Sequence, residues 1–257
     1  MIPKKIHYVW LGDADKPTQV VKCINSWKRY LPDYEIIEWN QHNWDLNQNK
    51  FALAAFNEKK FAYASDVIRL DVLNRFGGIY LDSDIMVNKS FDELLDRHAF
   101  WGFMYDNAIS TAVIASEPNN DFITRLLDKY AKLDFSGIAD GTVEVTNNAL
   151  ITKELINYYP DFTLGNHQLS LSDGTAIFPK EYFEFPSYDQ KTNFSNHLLL
   201  KSWGNEPISV FRKLVRVLLP VIIGPVNFGK IRSTRGKKRF VAYEEYEKKQ
   251  RNYKNTN

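Results

Sequence analysis

The chain has 257 residues, of which 44% are hydrophobic, 14% aromatic and 25% charged, with a formal net charge of +2. That mixture suits one globular α/β domain with a modest appendage and excludes a disordered or low-complexity chain. The single cysteine, Cys23, excludes an intrachain disulfide framework, and no stretch is apolar for long enough to span a membrane. Nothing ahead of Ile6 has the apolar length of a secretory signal, so the expected setting is cytoplasmic.

In chain order, Ile6 to Trp10 reads as a strand, Thr18 to Tyr30 as an amphipathic helix, and Tyr34 to Trp39 as a second strand after the Leu31-Pro32-Asp33 turn. Strand, helix, strand implies a parallel unit. Helices are predicted near Phe51 to Lys59 and Ser65 to Phe76. The second has Ser65 as its N-cap, an apolar face of Ile68, Val72, Leu73 and Phe76, and Gly77-Gly78 as a left-handed stop. Short strands at Ile79 to Leu81, Ile85 to Val87, Phe100 to Met104 and Thr111 to Ala115 come next. Helices follow near Asn120 to Tyr130 and Asn148 to Tyr158, then strands at Thr175 to Phe178 and His197 to Leu200. With no internal repeat or linker, one open α/β sheet is the economical expectation, and ligands bind such sheets beyond the carboxyl ends of the strands. Trp10 to Gly12 and Asp82 to Asp84 both fall at such ends, where one cleft could contain them.

The chemistry concentrates in Ser65 to Asp84. Asp82-Ser83-Asp84 follows an apolar strand, and hard divalent cations take one or two carboxylates while water and phosphate oxygens complete their shell. An Asp-x-Asp tripeptide alone is common in solvated turns. Here a helix bearing Asp66 and Arg69, three apart and so on one face, runs through Gly77-Gly78 directly into it. Trp10 offers an indole face for stacking, and Gly12 allows close backbone approach to a ligand. Read from the residues alone, Trp10 is as well a core aromatic, and His7 a buried structural histidine. Asp106-Asn107 fits a turn and Thr146 a helix N-cap. Lys180 to Pro186 could line an acceptor.

The stretch Asp66 to Asp84, with Ile2-Pro3-Lys4-Lys5-Ile6-His7-Tyr8-Val9-Trp10-Leu11-Gly12, resembles the DXD-containing sugar transferases of glycosyltransferase family 32. These include yeast-type initiating mannosyltransferases and bacterial capsule or lipopolysaccharide transferases, with clostridial glucosylating toxins more distant. The resemblance covers about the first third of the chain strongly. It implies a GT-A fold, with a Rossmann-like mixed sheet flanked by helices, a nucleotide-sugar donor, Mn²⁺ or Mg²⁺, and transfer with retention. By the same resemblance Asp84 holds the metal, Asp82 contacts the metal or the donor ribose, Asp66 hydrogen-bonds the donor sugar, Arg69 orients Asp66 or touches sugar and phosphate, and Trp10, Leu11, Gly12, Tyr80 and Ser83 line the donor pocket. Late in the chain, His197 followed by Ser202-Trp203 resembles the motif that completes the metal site and closes over the diphosphate. The toxin relatives carry Glu and Ser there, so metal and phosphate stay open as partners of His197. A UDP-hexose, UDP-galactose or UDP-glucose, is the leading donor, with GDP-mannose behind it. A saccharide or lipid-linked saccharide of capsule or surface polysaccharide is the expected acceptor.

Two other functions fit parts of the pattern. A haloacid-dehalogenase-type phosphatase also places Asp-x-Asp after an apolar strand, but the continuation here is Asp84-Ile85-Met86 instead of the expected Asp-Gly-Thr. A noncatalytic carbohydrate- or metal-binding module needs more clustered oxygen ligands than Asp82-Ser83-Asp84. The domain expectation is a catalytic domain over 1–205 and a helical basic extension over 206–257. Lys201 to Asn257 carries about +10 against about −8 for the rest. Basic residues set among apolar ones from Val210 to Ile223 suit an interfacial helix at the cytoplasmic face of an anionic membrane, or a core helix with a solvated tail. No nucleic-acid motif accompanies them.

Overall fold

The computed structural model describes residues 1–136, 147–200 and 218–256. β1 (Lys5–Val9), α1 (Thr18–Tyr30) and β2 (Glu35–Trp39) form the expected parallel unit, with His7 opposite Ile37. After α2 (Lys50–Asn57), α3 (Phe61–Phe76) leads into β3 (Gly78–Leu81), which lies parallel to β1 with His7 opposite Tyr80. β4 (Ile85–Val87), β5 (Ala99–Tyr105) and β6 (Ala108–Ser116) follow, then α4 (Asp121–Lys132) and α5 (Asn147–Tyr158). The order is completed by β7 (Leu169–Ser170), β8 (Thr175–Phe178), α6 (Lys180–Phe183) and β9 (Ser195–His197). The main sheet has seven strands in the order β2-β1-β3-β6-β5-β8-β7, with β3-β6, β5-β6 and β7-β8 antiparallel. This is the mixed α/β sheet flanked by helices that the sequence implied.

Alternation along β3 sends neighbouring side chains to opposite layers. Ile79 and Leu81 join the core containing Val20, Trp27 and Phe91, and Tyr80 joins the layer containing Val67, Ile68 and Trp101. All nine residues of β6 are buried, as expected of a strand paired on both sides and covered on both faces.

Ser65 is not an N-cap. α3 starts at Phe61, and Ser65 lies within its first two turns, its hydroxyl donating to the Ala62 carbonyl (2.7 Å) and accepting from Arg69 Nη2 (3.1 Å). Apolar Phe61 and Ala64 add a turn that a search for capping residues misses. The Gly77-Gly78 stop is present, with φ of 61° and 107°. A Cβ on Gly78 would sit 2.8 Å from the Lys5 carbonyl oxygen, so the close approach of β3 to β1 also requires glycine there. His7 braces this turn from below. Its Nδ1 accepts from the Trp39 indole N–H (3.0 Å), so Nε2 carries the proton donated to the Gly77 carbonyl (2.8 Å). Burial is the main reason its pKa falls to about 4.

The strand expected at His197 to Leu200 is displaced to Ser195–His197, because it pairs with β4 in a separate two-stranded sheet that fixes its register: Ile85 faces His197 and Val87 faces Ser195. Asp106 and Asn107 form the expected turn between β5 and β6. Two C-terminal helices, α7 (Pro225–Lys237) and α8 (Val241–Thr256), dock against that turn and α5. Asp106 bridges Lys180 (2.6 Å) and Lys237 (3.4 Å), and Tyr246 donates to Asn157 (2.7 Å). Among the described residues no helix is long and apolar enough to cross a membrane. Thr146, the 205/206 boundary, Ser202, Trp203 and Val210 to Val217 lie outside the described residues.

Candidate active site

Three segments meet at the carboxyl end of β3. α3 supplies Asp66 and Arg69, the turn after β3 supplies Asp82 and Asp84, and β9 supplies His197. Arg69 is buried between the carboxylates, with Nη2 3.0 Å from Asp66 Oδ1 and Nη1 3.2 Å from Asp82 Oδ1. Nη1 also donates to the Thr111 carbonyl (2.6 Å), and the guanidinium lies 4.5 Å from the centre of the Tyr80 ring. Burying a guanidinium is tolerable only with such a set of partners. Tyr80 is itself buried and donates to Asp82 Oδ1 (2.9 Å), so it orients an aspartate and stacks beneath the arginine.

Asp66 also accepts from Asn147 Nδ2 (2.6 Å), and Asn147 Oδ1 accepts from the Tyr130 hydroxyl (3.2 Å). Burial lifts the Asp66 carboxyl to about 7 despite the opposing pull of Arg69. Burial likewise raises Asp82, against the charges of Arg69 and His197. Asp84 behaves differently. Burial pushes it up, but the His197 imidazolium and the backbone N–H of Leu200, 2.7 Å from Oδ2, hold it below the usual carboxylate range. His197 Nε2 lies 3.2 Å from Asp84 Oδ1.

Asp82, Asp84 and His197 each present a ligand atom, all within 4.8 Å of one another. Two carboxylate oxygens and an imidazole nitrogen are a donor set that fits Mn²⁺ better than Mg²⁺, which prefers an all-oxygen shell. Neighbouring ligands on an octahedral ion with bonds of 2.0–2.1 Å stand about 3 Å apart, close to the Asp84–His197 separation. Ser83, between the aspartates, is buried.

Trp10, Leu11 and Gly12 continue β1 at the same edge of the sheet, since the parallel register of β1 and β3 puts both loops at one end. Trp10 and Leu11 are largely buried, and Trp10 Nε1 donates to the Ala14 carbonyl (2.9 Å). Trp10 and Gly12 line an open cleft of about 230 Å³ with Lys16, Glu38, Asn40 and Gln41. Gly12 has φ 83°, and a Cβ there would meet the Phe61 ring at 3.0 Å.

One buried group was not assigned to the site from sequence. Glu184, fully buried, lies 2.9 Å from His197 Nδ1 through Oε2 and accepts from the Ser110 hydroxyl through Oε1. A charged residue between Phe183 and Phe185, both buried, is a sequence signal for it, although Lys180 to Pro186 reads at first as an acceptor-side segment.

A mixed sheet carrying Asp-x-Asp at its carboxyl edge defines the chain as a protein of the GT-A glycosyltransferase fold. The solved structure of the PaToxG glycosyltransferase superposes on 62% of this chain and 70% of its own, with a TM-score of 0.50 at 23% identity, a likeness of fold. More particularly, residues 17–101 match the family described as the glycosyltransferase sugar-binding region containing the DXD motif. Among curated relatives, Subversion of eukaryotic traffic protein A of Legionella pneumophila is 26% identical over 185 residues, 60% of this chain and 28% of that protein. Inositol phosphoceramide mannosyltransferase 3 of Schizosaccharomyces pombe is 27% identical over 145 residues, 52% of this chain and 39% of that protein. The chain thus spans well under half the length of these two relatives.

Proposed function

We propose that the chain is a metal-dependent, retaining glycosyltransferase that moves a hexose from a nucleotide-sugar to a saccharide or lipid-linked saccharide. The observation that carries this reading is the convergence of Asp82, Asp84 and His197 beside the Asp66–Arg69 pair. Asp82, Asp84 and His197 would hold Mn²⁺ or Mg²⁺, which when bound offsets the charge that grows on a leaving diphosphate. Asp66 presents Oδ1 to Arg69 and Asn147, which leaves Oδ2 to accept from a sugar hydroxyl. Arg69 fixes both aspartates and brings positive charge to the donor. Trp10 and Gly12 border a cleft that would take the nucleoside, while Ser83, Ser202 and Trp203 would contact the donor. Retention is compatible with front-face attack, in which the leaving phosphate takes the acceptor proton, and with a carboxylate nucleophile, and no nucleophile is assigned.

A UDP-hexose, UDP-galactose or UDP-glucose, is the proposed donor, and capsule or surface polysaccharide the proposed product. The mannosyltransferase names of the yeast relatives support GDP-mannose as the second donor. The C-terminal basic segment would hold the enzyme at the cytoplasmic face of an anionic membrane, which the exposed Val221 and Ile222 support. Thermal-shift titration with UDP-, GDP- and dTDP-sugars in the presence of Mn²⁺ tests the donor. One of them should raise Tm in a concentration-dependent way, and no shift with any of them contradicts the reading. Liposome co-sedimentation with and without residues 205–257 tests the membrane contact, which fails if truncation leaves binding unchanged.

A further inference from the structure

We infer that Glu184, supported by Ser110, is the positioning residue that prepares His197 as a metal ligand. The inference rests on the metal site proposed above. Glu184 lies outside the group of three ligand-bearing residues and is fully buried. A carboxylate so placed is expensive to desolvate and is retained only where partners use its charge. Both oxygens are used. Oε2 engages His197 Nδ1 at 2.9 Å and Oε1 receives the Ser110 hydroxyl, which is buried on β6.

The main chain makes the same connection, because the Glu184 carbonyl accepts from the His197 backbone N–H (3.1 Å). Glu184 is the residue that ends α6, so the helix terminus and β9 are fixed to each other through this one residue. With Nδ1 taken on the core side, Nε2 is the nitrogen turned to Asp84 at 3.2 Å and to the ligand cluster. A carboxylate behind a ligating imidazole fixes its ring orientation and raises its basicity, and removing such a partner typically weakens metal binding about 10–100-fold. β4 and β9 alone would bring the His197 backbone beside Ile85 without deciding which ring nitrogen faces the aspartates.

The test is Mn²⁺ binding to the full chain without nucleotide, followed by the loss of the free-ion EPR signal, for wild type, E184Q, S110A and H197A. The expected result is wild-type binding that E184Q weakens about 10–100-fold and S110A less, while both variants unfold cooperatively. In the metal-free protein the downfield His197 Nδ1–H resonance should be lost in E184Q. A role in folding alone lowers Tm and leaves Mn²⁺ affinity unchanged, so wild-type affinity in E184Q overturns the inference. If E184Q does not fold, S110A decides, and unchanged affinity there overturns it. Absence of Mn²⁺ binding in the wild type overturns the metal site itself. Wild-type binding that H197A leaves intact overturns His197 as a ligand, and the inference with it.

Discussion

The two halves of the candidate site are built in opposite ways. Asp66, Arg69, Tyr80, Asp82 and Asp84 lie within one continuous helix-turn-strand run, so helix periodicity and strand alternation already bring them to one place. His197 and Glu184 come from far along the chain, and only the β4–β9 pairing and the end of α6 deliver them. The first half is held by a buried guanidinium between two carboxylates, the second by an imidazole between two carboxylates. Local sequence thus builds the arginine clamp, and tertiary structure delivers the imidazole proposed to complete a metal site.

The largest effect should come from Asp84, where the halves meet. Asp84→Ala removes a proposed metal ligand and the partner of His197 Nε2, and should lower sugar transfer at least about 10³-fold in a donor-hydrolysis or transfer assay. Activity within a few-fold of wild type would separate Asp84 from the chemistry.

Next is Arg69→Ala, which leaves buried Asp66 and half-buried Asp82 without their shared cation. Breaking a buried pair in this way typically costs about 3–5 kcal/mol, readable by urea denaturation. A loss under about 1 kcal/mol would mean the clamp is not what holds the first half together.

Acid should weaken the same half through His7, which braces the Gly77 turn. Its folded pKa of about 4 lies below the ordinary 6.5, so the unfolded chain binds the extra proton first. Stability is therefore fully present above about pH 6.5 and falls as pH drops toward 4, by about 3 kcal/mol from this residue. The difference in the pH dependence of unfolding between wild type and His7→Gln measures it.

Asn147→Ala should be the mildest of these changes. It removes the 2.6 Å bond to Asp66, with an expected loss of about 1–2 kcal/mol in the same denaturation assay.

The order of elements from β1 to β6 is readable because apolar spacing, the Leu31-Pro32-Asp33 turn and Gly77-Gly78 mark their ends. The start of α3 is less readable, since Lys60 provides no side-chain cap and tertiary burial supports the added turn. Tyr80 reads as a pocket residue, yet strand alternation places it beneath Arg69. Glu184 is hidden for a different reason. Its partners, Ser110 and His197, are distant in sequence, and no local pattern specifies a pairing made through the β4–β9 sheet.

If both halves act on a nucleotide diphosphate through a divalent ion, calorimetric titration of UDP into the full chain, with Mn²⁺ and then with chelator, will show it. UDP should bind saturably with Mn²⁺ and at least about 10-fold more weakly once the ion is removed. Equal affinity under both conditions would contradict it.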